Sequence, residues 1–180
     1  MRQALALAWL LSAAAAWGQA FLEISWDDLI DPRWAKEVQV EMMALGRLGG
    51  LRDGSEAADR AMATLRQKWD AAPIVSTHIG KRIRIPGYVV PLDADRSASR
   101  TFLLVPYFGA CIHTPPPPAN QIILVVPQKG AKIREVPESM ATVWVEGVLE
   151  DARTQTSQGV TGYQILATGV RPYEEAPRGR

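Results

Sequence analysis

Cysteine and histidine are scarce in this sequence of 180 residues, which contains one cysteine and two histidines. One cysteine cannot form an intrachain disulfide, and two histidines cannot build a metal centre from several histidines. Charge of one sign is also lacking, because 20 basic residues stand against 19 acidic residues and the formal net charge is +1. This balance excludes the strongly basic surface that proteins use to bind nucleic acid, and it also excludes a strongly acidic one.

Long hydrophobic runs are lacking after the N-terminus, where residues 1–20 are typical of a secretory signal peptide. Arg2 supplies a positive charge, residues 4–16 form an uncharged apolar run, and small residues precede the cleavage points after Gly18 and Ala20. The run is shorter than the ~20 residues of a transmembrane helix. We therefore expect an exported protein, periplasmic or secreted, that does not span the membrane after cleavage.

The mature chain has ordinary globular composition, with 47% hydrophobic residues, and its length suits one domain. Residues 21–73 are predicted to form a helical N-terminal extension that packs on something else. Ser25 precedes the turn of Trp26-Asp27-Asp28-Leu29, residues 34–48 are rich in helix formers, and Ser55 precedes a second helical run. Apolar residues of that run share one face and are predicted to be core: Ala58, Ala61, Met62, Leu65 and Trp69.

From residue 74 onward the hydrophobic period changes from helical to two, which predicts a β domain over residues 74–173 and a flexible tail over 174–180. The predicted strands lie at 82–90, 102–105, 122–126, 142–149 and 163–170. Gly147 interrupts the fourth strand and is predicted to be a bulge or a close-packing point. Five short strands suit a closed barrel better than a sandwich, so we predict a mainly β, OB-like barrel.

The segment 106–121 carries the unusual chemistry of the chain. The only cysteine, Cys111, and one of the two histidines, His113, lie in it two positions apart. In an extended backbone two such side chains point to the same side. A thiolate and an imidazole both bind zinc and copper, and an imidazole also holds a cysteine as a nucleophilic thiolate. Cys111 and His113 are therefore the predicted metal ligands.

The residues around this pair are predicted to stiffen the loop. Gly109 allows close backbone approach or positive φ, a run of four prolines forms a rod without backbone donors, and two amides follow that can bond backbone or orient the imidazole. Such a rod would hold the ligands in place before a metal arrives. These supporting residues are Gly109, Pro115, Pro116, Pro117, Pro118, Asn120 and Gln121.

Other interpretations of the segment stay open. Cys111 can be a small buried hydrophobe, His113 a surface residue, and the proline run a spacer or a partner-binding loop. Two ligands are also fewer than the four of a closed zinc site. The remainder could come from a second chain in a homodimer, from an open transfer site, or from other side chains of this chain: His78, Asp93, Asp95, Glu146 and Asp151.

Three segments resemble the bacterial exported family known as domain of unknown function 3299. They are Trp26-Asp27-Asp28-Leu29, then Gly87-Tyr88-Val89-Val90-Pro91-Leu92, and the stretch 102–121 with its Gly-Ala-Cys-Ile-His-Thr-Pro-Pro-Pro-Pro-Ala-Asn-Gln signature. The resemblance extends over residues 24–170. It implies an OB-like barrel, a periplasmic, secreted or membrane-associated location, and an accessory role beside ABC-type export or metal-uptake systems. It brings no established catalytic activity.

Two functions follow as expectations. The first is an exported accessory protein that binds or handles zinc or copper beside a membrane transport system. The alternative is a non-catalytic interaction module of an ABC-type transporter complex, with a structural cysteine. A thiol enzyme is disfavoured because a catalytic base usually comes from elsewhere in the fold, so no catalytic residue is predicted. Nucleic-acid binding is not expected, since the charge is balanced and the fold alone does not give function.

Overall fold

The computed structural model describes residues 20–47, 55–92, 100–111, 116–131 and 133–174. Two helices precede most of the strands: α1 (Pro32–Arg47) and α2 (Glu56–Asp70). The strands are β1 (Leu22–Glu23), β2 (Arg82–Pro91), β3 (Phe102–Val105), β4 (Ile123–Pro127), β5 (Thr142–Gln155) and β6 (Val160–Pro172). Short 3₁₀ helices lie at Trp26–Leu29, Ser76–His78 and Ala119–Gln121.

Five strands close into a barrel in the order β2, β3, β4, β6 and β5, with β5 pairing back to β2. The β4–β6 pair is parallel, and the other pairs within the barrel are antiparallel. β1 adds to β2 as a short parallel strand. The prediction of a mainly β, OB-like barrel with helices at its N-terminal side is confirmed. Among the described residues, no helix is both long and apolar enough to cross a membrane.

The strands bury apolar side chains on more than the inside of the barrel. Along β3, Phe102 and Leu104 point into the barrel, whereas Leu103 and Val105 point outward, and all four are fully buried. The inward side chains belong to one large core. The outward ones join a second group, which we call the outer cluster: Val90, Leu103, Val105, Ala110, Ile122 and Leu124. Something other than the barrel interior must therefore cover this face of β3 and β4.

The last two strands are longer than the sequence predicts. Hydrophobic alternation stops at Leu149, but β5 continues to Gln155 and β6 begins at Val160, so the two strands form an extended hairpin. The added residues of β5 are polar, which is why their strand structure leaves no apolar pattern. Gly147 fulfils both predictions made for it. The strand register shifts there, and a Cβ at this position would lie 2.3 Å from the backbone oxygen of Leu166.

The 3₁₀ turn at Trp26–Leu29 is joined to the barrel. Ser25 caps the 3₁₀ helix as its sequence predicts, with Asp28 accepting hydrogen bonds from the Ser25 backbone and hydroxyl at 2.8 Å each. Trp26 donates its indole N–H to the carbonyl of Pro86 at 2.7 Å, and Leu29 is fully buried in the barrel core. Residues 22–29 therefore contribute to the barrel, while the boundary drawn at residue 73 stays a prediction.

The two helices leave much of their apolar surface exposed. Ser55 caps α2 by accepting a hydrogen bond from Ala58 N at 3.2 Å, and Leu65 is buried. Met62, predicted to be core, is 53% exposed, so that prediction is wrong. The helical period predicts which residues share a face, but it does not require a partner element to cover the whole of that face. On α1, Val40 is 66% exposed.

Side chains of the barrel fasten the segment that follows α2. Arg153 donates to the backbone oxygens of Asp70 and Ala72. The hydroxyl of Tyr163 accepts from Val75 N at 2.7 Å and donates to the carbonyl of Leu29 at 3.0 Å. Burial raises the pKa of Tyr163, so the hydroxyl stays protonated and keeps its ability to donate.

We expect Tyr163→Phe to lower the free energy of unfolding by about 1–3 kcal/mol, because it leaves a buried backbone donor and a buried carbonyl unpaired. Tyr173→Phe is the matched control. Tyr173 is exposed, so removal of its hydroxyl should change the free energy of unfolding by less than about 0.5 kcal/mol. Urea denaturation followed by fluorescence measures both. Equal stability of the two variants would contradict this role of Tyr163.

Candidate functional site

The candidate loop begins where β3 ends at Val105. Tyr107 and Phe108 follow and are 43% and 66% exposed. The ring of Phe108 meets that of Tyr88 edge to face, with centroids 5.9 Å apart and an interplanar angle of 82°. Ala110, two residues further, is fully buried in the outer cluster. The loop thus presents two aromatic rings outward and turns back onto the barrel immediately afterwards.

Cys111 is half-buried and packs against the outer cluster. Its φ is +65°, a left-handed conformation that is uncommon for a residue with a side chain. Desolvation raises the pKa of the thiol from 9.0 to about 11, and the positive charge of Arg66 on α2 opposes this shift only in part. The thiol is therefore protonated at neutral pH, which disfavours a nucleophilic cysteine.

Met140 lies beside the same loop, although no sequence pattern links it to Cys111. Its Sδ accepts a hydrogen bond from Gly109 N at 3.2 Å, and its side chain packs against the outer cluster as Cys111 does. Gly109 has a φ of +83°, which glycine adopts without strain, and Met140 has a φ of +62°. Met140 lies in the connection before β5, so the sequence gives no sign that it is near this loop, and only the folded barrel brings the two together.

The far side of the loop is anchored to the start of β6. Pro116 packs so closely on Gly159 that a Cβ there would lie 3.0 Å from the proline Cβ, and Pro117 is buried. The backbone oxygen of Ala119 lies where Gly162 leaves room, since a Cβ on that glycine would approach it to 2.6 Å. Pro116 and Pro117 therefore pack against the barrel and do not form a free-standing rod.

Two amide residues close the anchored stretch. Asn120 is fully buried and donates its Nδ2 hydrogen to the carbonyl of Pro73 at 3.3 Å, so it ties the loop to the segment after α2. Its Oδ1 is buried without a hydrogen-bond partner among the described residues. Gln121 N donates to the carbonyl of Pro118 at 2.8 Å, which forms the 3₁₀ turn into β4.

Several predicted site residues lie outside the described residues, and their placement stays a prediction. His113 and Pro115 are two of them, and Asp93 and Asp95 are the others.

The remaining candidate ligands lie on other elements of the fold. His78 ends the 3₁₀ helix Ser76–His78, and its Nδ1 is buried without a hydrogen-bond partner among the described residues. Hydrogen bonds from Ser25, together with the nearby charge of His78, lower the pKa of Asp28. Glu146 pairs with Arg171. Asp151 lies opposite Tyr163 in the β5–β6 register. Within the described ranges, no three His, Cys, Asp or Glu side chains are close enough together to hold a metal ion.

We expect alkylation of Cys111 by iodoacetamide to be slow at pH 7, where about one thiol in ten thousand is ionised, and to accelerate about tenfold per pH unit. In urea the profile should shift down toward the ordinary pKa of 9.0, because unfolding removes the desolvation. Mass spectrometry of the labelled protein gives the rates, with Cys111→Ser as the blank. A rate that levels off below pH 8 in the folded protein would contradict the raised pKa.

Comparisons with known proteins agree with this architecture. A family model described as "Protein of unknown function (DUF3299)" matches residues 26–172. The crystal structure of a DUF3299 family protein from Pseudomonas aeruginosa is similar, with a TM-score of 0.61 and 30% sequence identity over 87% of this chain and 99% of that chain.

Two other comparisons add no functional information. An aspartyl tRNA synthetase from Entamoeba histolytica reaches a TM-score of only 0.27 at 12% identity over 55% of this chain and 21% of that chain, and it carries no argument. No curated protein matches. The family model covers most of the chain and the similar crystal structure covers nearly all of its own, so the protein belongs to the DUF3299 family.

Proposed function

We propose that this protein is an exported accessory protein that binds or handles a transition metal through Cys111 and His113, in association with a membrane transport system. The observation that carries the proposal is the anchoring of the loop on both sides of these two residues. Before Cys111, the Gly109 backbone is bonded to Met140. After His113, Pro116 packs on Gly159 in the β5–β6 turn. Fixed ends reduce the entropy that a loop loses when it binds a ligand.

The chemistry of the two donors fits a transition metal, provided that the metal displaces the proton of the Cys111 thiol. Cys111 is half-buried rather than sealed, and a thiolate is a strong ligand for zinc and for copper. Because the thiol is protonated at neutral pH, a metal must displace the proton, and affinity should increase with pH. His113 follows two positions later in the sequence and supplies the imidazole. Further ligands to the metal come from a second chain, from a protein that exchanges metal with this one, or from solvent.

Native mass spectrometry of the mature protein, purified without chelator from its exported compartment, tests this function. We expect one zinc or copper per chain in the wild type. Cys111→Ala should remove it, and His113→Ala should weaken retention by about tenfold or more, since each ligand contributes strongly to metal affinity.

His78→Ala tests the other histidine, and metal that is retained in this variant assigns the imidazole ligand to His113. Metal that stays bound after Cys111→Ala and His113→Ala are combined would overturn the proposal. Circular dichroism establishes that each variant is folded, so that loss of metal is not confused with loss of structure.

A second function, docking to a component of a transport complex, is favoured by a separate observation. Tyr107 and Phe108 expose aromatic surface at the outer end of a loop whose base is buried. Aromatic side chains held by a rigid base are typical anchors of protein interfaces. In this function Cys111 is structural, as its raised pKa and its packing against the outer cluster favour.

We expect Phe108→Ala to weaken co-purification with the transport components at least tenfold, because truncation of an interface anchor commonly costs about 2 kcal/mol of binding free energy. Tyr173→Ala changes an exposed aromatic residue that follows β6 and should have no effect. Cys111→Ser should also leave co-purification unchanged. Loss with Cys111→Ser but not with Phe108→Ala would contradict the docking function.

A further inference from the structure

We propose that a cleft on the outer face of the barrel binds a free α-amino acid with an apolar or aromatic side chain. The cleft, which we call the arginine cleft, is lined by Arg84, Trp144, Arg171, Pro172 and Glu174 and has a volume of about 340 Å³. Small-molecule sites commonly have volumes of roughly 300–1,000 Å³. The arginine cleft shares no residue with the loop at Cys111, so the inference goes beyond the proposed function and does not depend on it.

Strand alternation brings the arginine cleft to the outer face of the sheet. In β2, Arg84 lies between the fully buried Ile83 and Ile85, so its side chain points away from the barrel core. Trp144 of β5 stands opposite Arg171 of β6 in the strand register. Because β5 lies between β2 and β6, the indole of Trp144 has one arginine on each side.

A carboxylate holds each of the two arginines. Glu23 of β1 accepts hydrogen bonds from Nε and Nη2 of Arg84 at 3.1 Å and 2.7 Å, and the guanidinium carbon lies 5.1 Å from the ring centroid of Trp144. Arg171 pairs through Nη2 with Glu146, whose side chain is only 13% exposed. A guanidinium has five N–H donors, so both arginines keep donors for a second carboxylate. Their existing partners reduce the freedom that a ligand must remove on binding.

The charges along the arginine cleft favour a ligand that carries both signs. Arg84 and Arg171 can donate to a carboxylate, and the carboxylate of Glu174 can accept from an ammonium group. A dianion such as phosphate is disfavoured, because Glu174 repels it and Glu23 and Glu146 already neutralise the two arginines. An α-amino acid carries its carboxylate and its ammonium on one carbon, so it presents both groups within a small volume.

The rings of the arginine cleft favour an apolar side chain on that amino acid. Trp144 and Pro172 supply the apolar part of its lining. The ring of Tyr173 lies against that of Trp144, with centroids 5.4 Å apart and an interplanar angle of 34°. Aromatic faces of this kind pack with other rings and with aliphatic chains. L-Phenylalanine is therefore the probe that uses every group of the cleft.

Titration of the ¹⁵N-labelled mature protein with three related probes, followed by NMR, tests the proposal. We expect L-phenylalanine to shift the indole N–H signal of Trp144 to saturation, with the signal assigned by its loss in Trp144→Phe. Phenylacetate lacks the ammonium group and phenethylamine lacks the carboxylate. Each should bind about tenfold more weakly or worse, because each loses hydrogen bonds to a charged group.

Two variants assign the two ends of the ligand. Arg171→Gln should weaken both L-phenylalanine and phenylacetate by about tenfold or more, because both carry the carboxylate. Glu174→Gln should weaken L-phenylalanine alone and leave phenylacetate unchanged. Arg60→Gln is the matched control, since Arg60 is an exposed arginine of α2 that pairs with Glu56, and it should change neither affinity.

Three results would overturn the inference. They are the lack of a saturable shift with L-phenylalanine, equal binding of L-phenylalanine and phenylacetate, and equal loss of both ligands in Glu174→Gln. The changed side chains of Arg171 and Glu174 are exposed, so both variants should fold, and circular dichroism checks that they do. Metal retention measured on the same variants should equal that of the wild type, which separates this cleft from the site proposed at Cys111.

Discussion

The candidate site depends on one constraint, which is that the outer face of β3 and β4 is apolar and must be covered. Leu103, Val105 and Ile122 are fully buried although they point away from the barrel interior. Burial of such side chains contributes about 1.5–3 kcal/mol each. The loop after β3 supplies the cover, together with the connection before β5. Removal of that cover would expose a patch large enough to destabilise a small barrel.

This burial also sets the chemistry of the loop. The chain covers the face by turning sharply, and Cys111 and Met140 both take left-handed conformations that cost about 1–3 kcal/mol each. The apolar contacts that compensate this strain also desolvate the thiol and raise its pKa. A cysteine in such a position is a weak nucleophile, because its thiol is protonated at neutral pH. Packing and chemistry at Cys111 therefore have the same origin.

The sequence predicted the barrel because strand alternation, turn residues and the glycine at Gly147 are local signals. It predicted Cys111 as a notable residue because a single cysteine is visible without a structure. It could not predict Met140, whose approach to Gly109 depends on β2 and β5 pairing across the barrel. It was wrong at Met62 because helical periodicity describes one face of a helix, whereas burial depends on a second element.

The covered face bears on the ligand binding for which OB-folds are best known. In OB-folds, nucleic acids and oligosaccharides bind across the outer face of the second and third barrel strands, which are β3 and β4 here. In this chain that face is occupied by its own loop, and its side chains are apolar rather than basic. The balanced charge also gives little of the electrostatic attraction on which nucleic-acid binding depends. What remains exposed in place of an open binding face is the loop itself, with the rings of Tyr107 and Phe108 at its surface, so function on this side of the barrel is expected at the cover rather than on the sheet.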